Sequence, residues 1–215
     1  AGGLTDGDAY AITAAAPART ALTLTTQAAE KVYRAVGVAA RLDAEFTLGD
    51  GAALAWLPQE TILYDGGRLA RTLTIDMTAS ARLIACEMLV LGRTAHGETV
   101  RAGRLSDRWR IRRDGRLVYA DDFRIEGDVA AAGRGGATLA SGRATASLIL
   151  AAEDAGDRLE AVRGVLGGFD IAAGASSWDG LLAVRAVAGD AQVLRSAVVA
   201  VLNLLAGGVP RVWSL

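Results

Sequence analysis

Alternation with a period of two runs through the first half of the chain. Ala21-Leu22-Thr23-Leu24-Thr25, Arg71-Thr72-Leu73-Thr74-Ile75-Asp76-Met77 and the stretch Ala81 to Leu91 all show it, and it predicts strands because successive strand side chains point to opposite faces. Gly49-Asp50-Gly51 and Asp65-Gly66-Gly67 punctuate them, so the reading from Ala9 to Arg124 is short strands separated by turns. Asp114-Gly115 between Arg104–Arg113 and Arg116–Arg124 predicts a hairpin with a type I′ turn, since both residues tolerate positive φ. A two-residue turn sets Arg108 opposite Asp121 and Asp107 opposite Asp122. The second is a like-charge pair that needs a proton, a cation or an arginine, and a one-residue bulge would abolish it. Val129–Ser141 reads as a Gly/Ala-rich connection, and Thr145–Ala151 and Leu181–Val187 as further strands. The period changes late. Ala155–Leu166 and Asp190–Ala206 carry apolar residues at helical spacing, each stops at a Gly-Gly pair, and Asp190 is placed to cap the second. The expectation is a mainly β, elongated stacked-sheet or β-solenoid-like single domain over residues 1–215, with two late α-helices.

Composition changes this picture in three places. Aromatics make up 5% of the chain while glycines number 26, so the core must be built from small aliphatic side chains, which suits closely stacked sheets. Lys31 is the only lysine and the net charge is −1, which argues against an arginine-rich nucleic-acid surface, so no nucleic-acid partner is expected. Cys86 is alone; no intramolecular disulfide can form, and a cytoplasmic setting fits. The longest apolar run, Ala197–Leu205, is interrupted by Asn203 and is too short to span a bilayer, so no membrane association is expected. The chain opens on Ala1 rather than Met, and a trimmed start is expected.

Candidate chemistry lies in carboxylates embedded among apolar residues. In Ala81–Leu91, alternation puts Leu83, Ala85, Leu89 and Leu91 on one face with Glu87, and Ile84, Cys86, Met88 and Val90 on the other. Both faces are apolar, so Glu87 is inside. A buried carboxylate costs several kcal/mol unless it is paired, protonated or coordinated, which leaves a structural ion pair with an arginine or a polar internal path as alternatives. The segment Leu57-Pro58-Gln59-Glu60-Thr61-Ile62-Leu63-Tyr64-Asp65-Gly66-Gly67 sets Glu60 and Asp65 in a similar context, with Pro58 at a strand edge or turn. Catalysis finds little support. The single histidine, His96, lies in the turn-like stretch Arg93–Glu98, there is no Gly-x-Ser-x-Gly elbow, and the Gly-rich start lacks the Gly-Lys-Ser/Thr of a phosphate loop. Cys86 reads as a packed thiol. With one His and one Cys, a closed zinc site cannot be assembled, and any metal contact must use carboxylates, carbonyls and water.

Several ordered blocks resemble one family, the urease accessory protein UreD, also called UreH. They are Gly2-Gly3 with Gly7-Asp8, Thr25-Thr26-Gln27-Ala28 with Lys31-Val32-Tyr33-Arg34, Trp56-Leu57-Pro58-Gln59-Glu60, Leu91-Gly92-Arg93 with Gly97-Glu98, Arg108-Trp109 with Asp114-Gly115, and Pro210-Arg211-Val212-Trp213. Cys86 departs from the tryptophan expected before the glutamate, and Asp107 also departs from the pattern. The resemblance implies a non-enzymatic scaffold that binds the urease apoprotein and the accessory protein UreF, which recruits the GTPase UreG, and that assists nickel delivery. It implies an elongated, helix-poor stack of strands, further strands ahead of the Gly-Gly turn, and an exposed sheet edge where those are absent. It also makes Glu60, Asp65, Glu87 and Glu98 candidates for lining a nickel path. Bound Ni²⁺ would be transient, with no tightly held cofactor. Partner contacts are expected at strand edges, at the apolar face of Asp190–Ala206, and at Tyr33, Arg34, Trp178 and Trp213. From the residues alone, a β-solenoid carbohydrate-active enzyme with paired carboxylates is the competing reading, against which the low aromatic content counts.

Overall fold

A computed structural model describes residues 2–93, 96–129, 131, 139 and 142–214. In chain order the strands are β1 (Ala9–Ala16), β2 (Ala21–Leu24), β3 (Glu30–Val32), β4 (Ala40–Leu48), β5 (Ala53–Trp56), β6 (Thr61–Leu63), β7 (Arg68–Met77), β8 (Arg82–Leu91), β9 (Ala102–Arg113), β10 (Arg116–Asp128) and β11 (Ala144–Ala151). Helix α1 (Leu159–Leu166), the hairpin β12 (Ala172–Trp178) and β13 (Leu181–Ala188), and helix α2 (Ala191–Ala206) follow. The predicted mainly β fold, with solenoid-like stacking and two late helices, is what forms.

The stacking arises because the chain returns in parallel. β1, β4, β7 and β9 lie side by side in parallel, closed at one edge by the antiparallel β10. The turns between carry the chain across to a second sheet, where β2 pairs with β5 and β5 with β8, again in parallel, and β3, β6 and β8 continue the pattern. Antiparallel β11, β13 and β12 extend this second sheet away from the coils. Pro58 falls between β5 and β6, where no ladder bond is lost.

Three layers result. The first sheet packs on the second, and the helices cover the second sheet's far side. β8 shows the division, since Leu83, Ala85, Leu89 and Leu91 face the first sheet while Ile84, Cys86, Met88 and Val90 join the helix-side core. α2 docks through Leu194, Ala197, Val198, Val201, Leu202 and Leu205, all buried. Asp190 caps it by accepting from the Gln192 and Val193 amides at 2.6 and 3.2 Å, and Gly207 ends it with φ 71°. Burial of this stripe corrects the expectation that the apolar face of Asp190–Ala206 meets a partner: the second sheet already covers it. The predicted Ala155–Leu166 helix begins instead as a 3₁₀ turn, Gly156–Arg158, and becomes α-helical at Leu159.

The β9–β10 hairpin turns at Asp114 and Gly115 with φ 51° and 75°, as type I′ requires. Its register then shifts between Leu117 and Tyr119, a bulge of one residue. Asp122 therefore lies opposite Arg108, and Asp107 opposite Phe123, so the like-charge pair of Asp107 with Asp122 does not form. Asp122 instead accepts from Arg108 Nε at 3.0 Å and Arg110 Nη2 at 2.6 Å. Most of the Val129–Ser141 connection lies outside the described residues.

Candidate functional site: a charged layer between the sheets

The inner faces of three strands each carry one charged residue at the same height. On β7 the inward series is Leu69, Arg71, Leu73, Ile75, Met77; on β9 it is Leu105, Asp107, Trp109, Ile111; on β8 it is Leu83, Ala85, Glu87, Leu89, Leu91. Register sets Arg71 beside Asp107 within the first sheet, and stacking brings Glu87 onto them from the second. The three are 5%, 8% and 5% exposed. On one side of them lies the apolar core around Phe46, Ile75 and Trp109, and on the other the core around Leu63, Leu69 and Leu105. A polar stratum thus divides the inter-sheet core.

Arg71 makes a fork to Asp107, Nε to Oδ1 at 3.1 Å and Nη2 to Oδ2 at 2.6 Å. Its Nη1 reaches Glu87 Oε2 and also the Thr61 hydroxyl, the latter at 3.0 Å. Trp56 Nε1 donates to the other Glu87 oxygen at 2.9 Å. Each partner is satisfied, which lets charge survive in an apolar interior. The charges do not balance, because one guanidinium serves two carboxylates. Burial pushes the Glu87 carboxyl up to about 7, against the opposing pull of Arg71 and with Asp107 adding to the rise. Burial alone would lower the Arg71 pKa, but the two carboxylates hold it above its ordinary value. Glu87 is therefore protonated more readily than an ordinary carboxylate, and a proton there would balance the charge of the cluster.

The stratum continues across the second sheet. Glu87 lies opposite Ser147 on β11, and Ser147 opposite Arg185 on β13. Arg185 reaches back to Asp121 of β10 at 2.5 Å, where side chains are 48% and 17% exposed. Polar positions therefore run from the buried cluster to the molecular rim. Cys86, next to Glu87 in sequence, points the other way into the helix-side core, where burial raises its thiol pKa; it is a packing residue, as expected.

The other predicted carboxylates lie elsewhere. Glu60 accepts from Arg195 of α2 at 2.7 Å; the same guanidinium donates to Gln59 Oε1 at 2.7 Å and the Val212 carbonyl at 3.2 Å, and sits 4.9 Å from the Trp213 ring. Asp65 and Glu98 meet in a turn cluster nearer the surface. Asp65 accepts from the Arg101 and Ala102 amides at 2.8 and 3.1 Å and from Arg34 at 2.9 Å, and Glu98 accepts from the Asp65 amide at 3.2 Å and Arg93 Nε at 2.9 Å. The Ala102 amide, first among several donors, holds the Asp65 carboxyl below the usual range, and the Arg93 hydrogen bond does the same for Glu98. Thr94 and Ala95 of this turn lie outside the described residues. Among the described residues no three His, Cys, Asp or Glu side chains gather around a point that could hold a metal ion.

Of the predicted surface contacts, Tyr33 and Trp178 are 36% and 41% exposed, and Arg34 is exposed while paired with Asp65. Trp213 corrects that set. It is 2% exposed and donates to the Leu57 carbonyl at 3.0 Å, because the terminal 3₁₀ turn folds under Arg195. The ion pair with an arginine, one of the two readings of Glu87, is present with Arg71 as the partner, while Asp107 and Trp56 were not expected beside it. A signal for the cluster was nonetheless there, since an arginine and an aspartate each occupy the apolar phase of an alternating strand.

The fold and this site define a stacked-sheet protein with an internal charge network between its two sheets. The model of the family described as "UreD urease accessory protein" matches residues 1–214. A protein named urease accessory protein UreD from Methylobacterium sp. (strain 4-46) is 47% identical, with 99% of this chain and 78% of that protein covered. One of the same name from Azorhizobium caulinodans is 43% identical over 100% of this chain and 80% of its own, and one from Xanthobacter autotrophicus 44% identical over 100% and 74%. The chain belongs to the UreD urease accessory protein family, and membership supports a role in urease maturation. No helix among the described residues is long and apolar enough to cross a membrane.

Proposed function

We propose that this chain is a non-enzymatic, cytoplasmic chaperone of urease maturation that holds the urease apoprotein together with UreF and UreG while nickel is delivered. Nickel is cargo in this reading. The observation that carries it is the charge imbalance of the buried Arg71, Glu87 and Asp107 cluster, continued by polar positions to the Asp121–Arg185 pair at the rim. A layer with an excess carboxylate favours a divalent cation electrostatically. Carboxylate and carbonyl oxygens, with retained water, hold Ni²⁺ more loosely than His/Cys sites and so permit release. Arg71 opposes permanent capture by competing for the same oxygens. Glu60, Asp65 and Glu98 are waypoints where the metal approaches the surface, and Tyr33, Arg34 and Trp178 are partner contacts.

The test is urease activation in cells expressing the urease subunits with UreF, UreG and this chain. Glu60→Gln with Glu87→Gln is expected to lower activation about tenfold or more, in the range seen when groups supporting metal sites are removed. Co-purification with UreF and urease should be unchanged. Full activation by the double variant would overturn the nickel path and leave the scaffold role standing.

A further inference from the structure

The β9–β10 side of the first sheet is arginine-rich although the chain as a whole is not basic. From Arg101 to Arg124 eight arginines stand against four aspartates, in a protein of net charge −1. The outward side chains of β4, β7, β9 and β10 fall in rows across the sheet. One row is Arg41, Ala70, Ser106 and Arg124; the row beside it is Arg68, Arg104 and Glu126. Two small residues between two arginines leave a trough of about 520 Å³, floored by Ala70 and Ser106 and walled by Arg41, Arg68, Arg104, Arg108 and Arg124.

Two of these cations have no carboxylate partner among the described residues. Arg41, Arg104 and Arg108 have carboxylates at 2.8, 3.7 and 3.0 Å. Among the described residues, Arg68 and Arg124 have none within 4.0 Å; Arg68 instead donates to the Gly37 carbonyl at 2.6 Å. The Asp6 carboxylate accepts from the Val36 and Gly37 amides at 2.8 Å each, and these amides, with the nearby Arg68 charge, hold its pKa below the ordinary value. Beside this end of the trough Val36 and Val38 stand 84% and 73% exposed.

We propose that this trough docks an acidic polypeptide segment of a protein partner, its carboxylates between Arg68 and Arg124 and an apolar side chain against Val36 and Val38. Charge complementarity is the argument for a carboxylate-bearing ligand. The exposed valines favour a polypeptide, which can offer acid and apolar groups together. A nucleic-acid strand fits worse, because Asp43, Asp122 and Glu126 interrupt the arginine-rich face along any path a phosphate backbone would follow. The surface is separate from the nickel path and does not depend on it.

The probe is a fluorescein-labelled octaglutamate peptide, with its anisotropy followed on titration with the full chain. Saturable binding that weakens between 50 and 200 mM salt is expected. Arg68→Gln with Arg124→Gln should weaken it about tenfold, and Arg124→Gln alone about threefold. Arg112→Gln with Arg116→Gln, of equal net charge but outside the trough, should stay within about twofold of the parent. The Arg124→Gln side chain is exposed, so that variant keeps the test valid even if the Arg68 change disturbs the Gly37 loop. No binding by the parent, equal losses in both double variants, or tighter binding of a dT12 oligonucleotide than of the peptide would overturn the proposal.

Discussion

β8 separates two interiors of opposite character. On its helix side, Ile84, Cys86, Met88 and Val90 meet Leu194, Val198 and Leu202 in a core of apolar side chains. On its sheet side the same strand presents Glu87 to Arg71 and Asp107, splitting what would otherwise be one apolar core in two. Both layers are closely packed, yet they are held in different ways. The helix layer is non-directional, so its cohesion depends on area and fit. The charged stratum depends on geometry, because its buried ions are tolerable only while each finds its partner. The comparison teaches that stability alone does not explain the stratum. Hydrophobic replacements of the same volume are often as stable as a buried ion cluster or more so, so cohesion alone does not account for the charge.

The largest expected effect tests the dependence on partners. Arg71→Ala leaves Glu87 and Asp107 buried without a counter-charge and should cost about 3–5 kcal/mol by urea unfolding at pH 8. The loss should shrink at pH 5.5, where a proton replaces the missing cation on Glu87. In the helix layer, Leu202→Ala should cost about 2–5 kcal/mol through its cavity, and that cost should be flat between pH 5 and 8, because burial pushes the Cys86 thiol of that core above its ordinary value and keeps it protonated over this range. A pH-dependent Leu202→Ala penalty would erase the contrast between layers. Smaller is the effect of Glu87→Gln. The native Glu87 pKa of about 7 stands above the ordinary 4.5 of the unfolded chain, so the folded state binds the proton more tightly. Its contribution is complete below about pH 4.5 and is lost as pH rises through 7. The parent should therefore lose about 2–3 kcal/mol relative to Glu87→Gln between pH 4.5 and 8, read from paired unfolding curves at each pH.

Much of this was legible in the residues. Period-two alternation marked β7 and β8, Asp114-Gly115 marked the hairpin, and Asp190 with Gly207 bounded α2. That Glu87 is inside followed from two apolar faces on one strand. What was not legible is height. Alternation says which face a residue takes but not which residue on the next coil it meets, and the pairing of Arg71 with Asp107 depends on how the intervening turns are measured out. The bulge after Leu117 left no local mark either, and it alone moved Asp122 from Asp107 to Arg108. Glu60 finds Arg195 on a helix formed 135 residues later, a contact that no neighbouring residue announces. Trp213 looked like a surface aromatic for the same reason.

Consider last what a stacked coil has to get right. Slide β7 by two residues against its neighbours and every inward leucine, isoleucine or methionine still faces something apolar, save the one leucine that lands on Asp107 and Glu87; the rest of the interchangeable aliphatic core would hardly object. Only this layer would register the mistake, since Arg71 would leave two acids behind and come to rest among leucines. The charged layer is in this sense a registration mark, a single position in an otherwise repetitive pattern at which the coils can tell that they are aligned.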